Sequence, residues 1–149
     1  EPTNLTSMLR GAVELVQRKA DAVGMSITLD CDPALTITVN SPLMEQAVVN
    51  LLDNAIKYSN SGGSIEVSAE TYPRHVVISV TDHGCGIEKI HHARLFERFY
   101  RVDRARSREL GGTGLGLSIV RHIAVVHGGE VNVESSPGKG SRFSITIPL

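Results

Sequence analysis

The chain has 149 residues, 41% of them hydrophobic, and a formal net charge of −1. One domain of this length can bury about 70% of its unfolded surface, and without tryptophan its core must rest on Val, Ile, Leu and Ala. The near-neutral charge argues against nucleic acid as a partner, and no apolar run approaches the roughly 20 residues of a membrane span.

"EPTNLTSML" carries no signal peptide and reads as the start of a piece cut from a longer protein. Leu5, Met8, Leu9, Ala12, Val13, Leu15 and Val16 recur at helical spacing. They predict a helix over about 4–23, capped by Thr3 or Asn4 and stopped at Gly24. "SITLDC" (26–31) alternates as a strand, with Cys31 one of only two cysteines, too few for a disulfide framework; a reduced, cytosolic setting is expected. "TITV" (36–39) is a second short strand. Ser41-Pro42 then supplies a cap and a first-turn proline for a helix over about 42–59, ending in "NSGG". "SIEVSAE" (64–70) and "HVVISVTD" (75–82) flank "TYPR" as a hairpin. Residues 83–113 are irregular apart from a short helix near Glu88–Ala93, and helical spacing returns over 114–127. "GEVNVES" (129–135) and "SRFSITI" (141–147) close the chain as a hairpin around "SPGKG". The strands are polar on one side, so one sheet face is wet and the other is covered by three helices. The expected fold is a two-layer α/β sandwich with a mostly antiparallel mixed sheet of about five strands.

Four stretches carry groups that the fold alone does not need. In "NLLDNAIKYS" (50–59), Asn50, Asp53, Asn54 and Lys57 share one arc of the helix with Tyr58 at its edge, opposite Val48, Leu51, Leu52 and Ala55. A solvated face explains such a stripe; so does a metal–phosphate group, since an amide oxygen ligates Mg²⁺ and an ammonium pairs with phosphate. Asp82 continues the Val76–Ile78–Val80 face and precedes "HGCGI", where Gly84 and Gly86 would let backbone approach a ligand. It either caps a glycine turn or accepts from an exocyclic amine such as that of adenine. "GGTGLGLSIV" (111–120) brings glycines to a helix start, as an entry loop or an anion cradle. It fits neither the dinucleotide fingerprint nor a Walker loop. In "ARLFERFYRVDRARSREL" (93–110), Phe96, Phe99 and Tyr100 accompany six arginines, as an anchored basic loop or as a mobile lid over phosphates. The pair His91-His92 has no metal-site spacing.

Taken in order, these stretches resemble the asparagine box, first glycine box, phenylalanine box and second glycine box of the catalytic ATP-binding domain of bacterial sensor histidine kinases, and "GKGSRFSITIPL" resembles its closing strand. The resemblance covers essentially the whole chain and implies the Bergerat-type fold of the kinase, gyrase and chaperone ATPase superfamily. It further implies ATP and Mg²⁺ as cofactors, with Asn54 ligating Mg²⁺, Lys57 contacting phosphate and Asn50 positioning the metal–phosphate group. Tyr58 would pack near adenine, and Asp82 would accept from the adenine amine beside Gly84 and Gly86, with Ser141 helping through water. Gly112, Thr113, Gly114, Leu115, Gly116 and Leu117 would cradle phosphates, and Arg98, Tyr100 and Arg101 would belong to the lid. Asn50, Lys57 and Arg101 would be the catalytic set.

The implied partners are the kinase's own dimerisation domain, which bears the acceptor histidine, and a downstream response regulator. Nucleic acid and membrane are not expected to touch this fragment, a cytoplasmic domain of a membrane-anchored sensor. None of the six histidines has the acceptor context of the family. Related hydrolases place a general-base Glu where this chain has Asn50, which favours transfer to histidine over hydrolysis. The competing readings are a non-catalytic nucleotide-binding or docking module and a serine-kinase-like regulator.

Overall fold

The computed structural model describes residues 1–59, 63–101 and 115–149. Its elements are β1 (Pro2–Asn4), α1 (Leu5–Ala22), β2 (Ser26–Asp30), β3 (Thr36–Thr38), α2 (Ser41–Tyr58), β4 (Ser64–Thr71) and β5 (His75–Asp82). They continue with α3 (Lys89–His92), α4 (Gly116–Val126), β6 (Glu130–Ser135) and β7 (Ser141–Pro148). Five strands, the number expected, form one sheet in the order β2-β4-β5-β7-β6. β2 runs parallel to β4, reached by a crossover through α2, and the other pairings are antiparallel.

Burial follows the alternation. Ile65, Val67, Val76, Ile78, Val80, Phe143, Ile145 and Ile147 are buried, and they join Leu9, Val16, Met44, Leu51, Leu52 and Val120 of the helices in one core. The two-layer α/β sandwich expected from the sequence is therefore the observed architecture, with α1, α2 and α4 packed side by side over one sheet face. The register places Asp82 opposite Ile65 on one side and Ser141 on the other, at the end of the buried rows.

One expectation needs correction, and one strand pairing lies outside what the sequence reading gave. "TITV" does not join the main sheet: Thr36–Thr38 pairs antiparallel with Pro2–Asn4, a strand that the sequence reading missed because "PTN" shows no alternation. The cap of α2 is Asn40 and not Ser41, since the Asn40 side chain accepts from Leu43 N at 3.1 Å. His127, at the end of α4, reinforces this corner. Its Nε2 accepts from Asn40 N at 3.0 Å, while its Nδ1 lies 2.7 Å from the Ile123 carbonyl and donates to it. Asn40→Ala should lower stability by about 1 kcal/mol, the usual cost of losing a cap, whereas Ser41→Ala should change it much less; urea midpoints of the two variants check this.

Candidate functional site

The C-terminal half of α2 supplies the first component. Asn50, Asn54, Lys57 and Tyr58 are half-buried, and Asn50 Nδ2 is buried without a hydrogen-bond partner. A buried amide donor left unpaired costs about 1–3 kcal/mol, which a solvated helix face would not incur. Asp53 does not belong with these residues as the arc suggested. Its carboxylate meets Lys19 Nζ of α1 at 3.1 Å, so it ties two helices together.

The second component is the end of β5. Asp82 is only 5% exposed, and its Oδ1 accepts from Gly84 N at 2.9 Å. Burial pushes this carboxyl above the ordinary range, with the Gly84 and Ser141 amides and the Ser59 hydroxyl pulling it back. The Ser59 Oγ lies near enough for that pull, yet it is buried and makes no hydrogen bond of ordinary geometry. A Cβ at Gly84 would stand 2.5 Å from the Tyr58 carbonyl oxygen, 2.8 Å from Ser59 Cα and 3.2 Å from Asp82 Oδ1. The last turn of α2 and the Asp82 loop are thus in backbone contact. At Gly86, φ is +72° and a Cβ would stand 1.9 Å from the Ser136 carbonyl oxygen. The room that these two glycines were expected to leave for a ligand is, at the missing Cβ, taken by the protein's own backbone.

Ser141, 7% exposed, faces Asp82 across the β5–β7 pairing. Its Oγ lies 2.8 Å from Ser135 Oγ, which in turn bonds the Gly140 carbonyl at 2.8 Å and accepts from Ile87 N at 2.8 Å. Ser59 and Ser135 were not among the residues singled out from the sequence. Ser59 could have been found as the residue that ends α2, one place beyond Tyr58; nothing in the local pattern marks Ser135.

The third component is the segment after α3. Leu95 is buried, Phe96 meets the Phe143 ring edge-on at 6.1 Å, and Tyr100 bonds His91 Nδ1 under the Arg94 guanidinium, 4.6 Å from its ring. Tyr100 is therefore an anchor at the root of the arginine-rich stretch. Arg98 is exposed over Phe99, and Arg101 Nε is buried without a partner. Gly112, Thr113, Gly114 and most of the expected lid lie outside the described residues. Beyond them, Leu115 and Leu117 are half-buried, and a Cβ on Gly116, which opens α4, would meet nothing within 4 Å among the described residues. His83 turns away and bonds Glu66 at 3.0 Å.

The arrangement offers a buried acceptor at one end and buried donors along a helix at the other. Residues 39–149 match the family described as "Histidine kinase-, DNA gyrase B-, and HSP90-like ATPase", and the chain belongs to it. It is 41% identical to the sensor-like histidine kinase SenX3 of Mycolicibacterium smegmatis over 148 residues, covering 99% of this chain and 38% of that protein. Full-length ShkA, solved in complex with AMPPNP, superposes with a TM-score of 0.88 at 30% identity over 99% of this chain and 30% of its own. Histidine kinase ThkA, solved in complex with the response regulator TrrA, superposes with a TM-score of 0.82 at 25% identity, over 99% of this chain and 41% of that one.

The raised Asp82 pKa carries a stability consequence. The folded chain holds this proton more tightly than the unfolded chain, so the associated stability is complete below the ordinary value of 3.8 and is lost as pH rises through the folded value. Asp82→Asn keeps an oxygen for Gly84 N and removes the buried charge. Its stability relative to wild type should rise as pH increases from about 4 towards 7, and a pH-independent difference between the two urea midpoints would contradict the assignment.

Proposed function

We propose that this chain binds Mg²⁺-ATP and passes the γ-phosphoryl group to a histidine on a separate dimerisation domain, as the catalytic domain of a two-component sensor kinase. The observation that carries this reading is the buried Asp82 carboxylate held against the end of α2, whose Asn50 amide donor has no protein partner. The carboxylate suits the exocyclic amine of adenine. The Asn50 donor and the Lys57 ammonium suit phosphate oxygens. Tyr58, at the end of the same helix, would flank the base.

Asn54 would hold Mg²⁺. Among the described residues no three His, Cys, Asp or Glu side chains gather into a metal cage, which fits an ion bound chiefly through substrate phosphates and one protein oxygen. When bound, that ion would neutralise charge on the phosphates. Residues 112–117 would supply backbone N–H groups at the start of α4, and Arg98 and Arg101 would close over the phosphates from the lid. Asn50 cannot take a proton from water, so it favours transfer over hydrolysis. The AMPPNP complex of ShkA supports the nucleotide, and the ThkA complex supports a response regulator as the downstream partner. Under this reading the chain lies on the cytoplasmic side of a membrane-anchored sensor; no helix of the described residues is long and apolar enough to cross a membrane.

In-line transfer requires a nucleophile within about 3.5 Å of the γ-phosphorus. The isolated chain should therefore bind ATP, turn it over slowly and leave itself unlabelled. Adding the matching histidine-bearing domain as a separate polypeptide should yield acid-labile, base-stable phosphohistidine on that partner. Labelling of the chain alone would overturn the reading, as would unchanged ATP affinity in folded Asp82→Asn. Asn54→Ala should weaken Mg²⁺-ATP much more than adenosine in calorimetry, and equal weakening of both would make Asn54 structural.

A further inference from the structure

The hydroxyl of Ser141 has a fixed role that follows from counting protons. Ser135 Oγ has three close polar neighbours: Ile87 N, the Gly140 carbonyl oxygen and Ser141 Oγ, each at 2.8 Å. Ile87 N can only donate, and the Gly140 carbonyl can only accept. A serine hydroxyl has one proton and two lone pairs. Ser135 therefore spends its proton on Gly140, receives Ile87 N on one lone pair, and has only a lone pair left for Ser141. Ser141 must donate to Ser135. With its proton committed, Ser141 can only accept from anything else.

That matters because of where Ser141 stands. It is the cross-strand partner of Asp82, and both side chains are more than nine-tenths buried. Directly opposed residues have Cβ atoms about 4.5–5.5 Å apart, so one small group can reach both. Asp82, when ionised, is also acceptor-only. The two groups together form an acceptor pair. An exocyclic amine, with two N–H bonds, satisfies both; a carbonyl at the same place on the ring faces two acceptors and is repelled.

We infer that Ser135 is a specificity-determining positioning residue: by taking the Ser141 proton it turns the Asp82–Ser141 pair into a reader for a purine amine and against a purine carbonyl. The inference rests on the proposed nucleotide site and adds to it the chemical origin of adenine-over-guanine choice. Ser135 does not touch the base in this scheme. It acts only through the direction of one hydroxyl.

The test compares Mg²⁺-ATP and Mg²⁺-GTP affinities by calorimetry in four proteins: wild type, Ser135→Ala, Ser141→Ala and the double variant. Ser135→Ala releases the Ser141 proton, which can then be donated to the guanine carbonyl. The ATP-to-GTP affinity ratio should fall by about tenfold, the size of one hydrogen bond made in place of one acceptor clash. In the double variant no hydroxyl remains to turn, so its ATP-to-GTP ratio should equal that of Ser141→Ala alone. Ser135→Cys, near-isosteric and a weak acceptor, should move the ratio in the same direction by less, and it serves if the alanine variant fails to fold. A folded Ser135 variant that loses both affinities in equal proportion would overturn the inference, because a structural role moves both alike. A Ser135→Ala change that still lowers the ratio when made on the Ser141→Ala background would overturn it too, since the effect would not pass through Ser141. Wild type binding neither nucleotide would instead remove the proposed site itself, and this inference with it.

Discussion

The backbone of Gly84 lies so close to the Tyr58 carbonyl that a Cβ there would stand 2.5 Å from the oxygen. This contact locks the end of α2 to the end of β5, and the site depends on it. The helix carries Asn50, Asn54 and Lys57 along its half-buried side, while the strand carries Asp82. A nucleotide needs its base and its phosphates held at a fixed separation, and only a rigid joint between the two elements supplies that. The joint is made of main chain, which adopts few conformations, with Asp82 Oδ1 accepting from Gly84 N at 2.9 Å to close it. Gly140 adds a second such approach, its missing Cβ lying 2.1 Å from the Asp82 carbonyl oxygen. The end of α2 and the Gly140 turn, distant in sequence, therefore both approach the Asp82–Gly84 segment main chain to main chain.

The distribution of unsatisfied polar groups points to the same place. Buried polar side chains away from it have partners: Thr6 donates to the Asp32 carbonyl at 2.9 Å, and Ser79 meets Ser144 at 3.0 Å. The buried side-chain atoms without partners among the described residues are Asn50 Nδ2, Ser59 Oγ and Arg101 Nε. All three can donate a proton, and all three lie on α2, at its end, or at the root of the arginine-rich segment. Native structures leave few such groups. Two of the three lie on or at the end of α2, and all three share one polarity, which an anionic ligand would suit and random packing faults would not produce.

Most of the fold could be read from the sequence because it rests on periodicity. The alternation of Val76, Ile78 and Val80, or of Phe143, Ile145 and Ile147, specifies a face wherever the strand sits, and these residues are buried as expected. What stayed hidden was pairing between remote segments. Pro2–Asn4 becomes a strand only because Thr36–Thr38 lies beside it. Asn40 rather than Ser41 caps α2, with His127 of α4 accepting from its N–H. The site divides along the same line. Asn50, Asp82 and the glycines stand out locally, as misplaced polar or small residues in apolar patterns. Asp53 stands out equally and yet pairs with Lys19, because the helix arc cannot say which neighbour lies beside it. Ser135 carries no local signal at all. Its role arises from the β6–β7 register and from the turn that brings Gly140 over it.

The glycine motif illustrates how one pattern can encode two demands. At Gly84 and Gly86 the absent Cβ is required by Tyr58, Ser59 and Ser136 of the protein itself, so replacing either would disturb the fold before any ligand arrived. At Gly116 nothing among the described residues occupies the space, and a glycine in the first turn of a helix costs about 1 kcal/mol relative to alanine. Packing among the described residues explains the first two and supplies no contact that would explain the third. Under the proposed function, close approach of a phosphate to the N–H groups of this first turn would set the limit on side-chain size at Gly116.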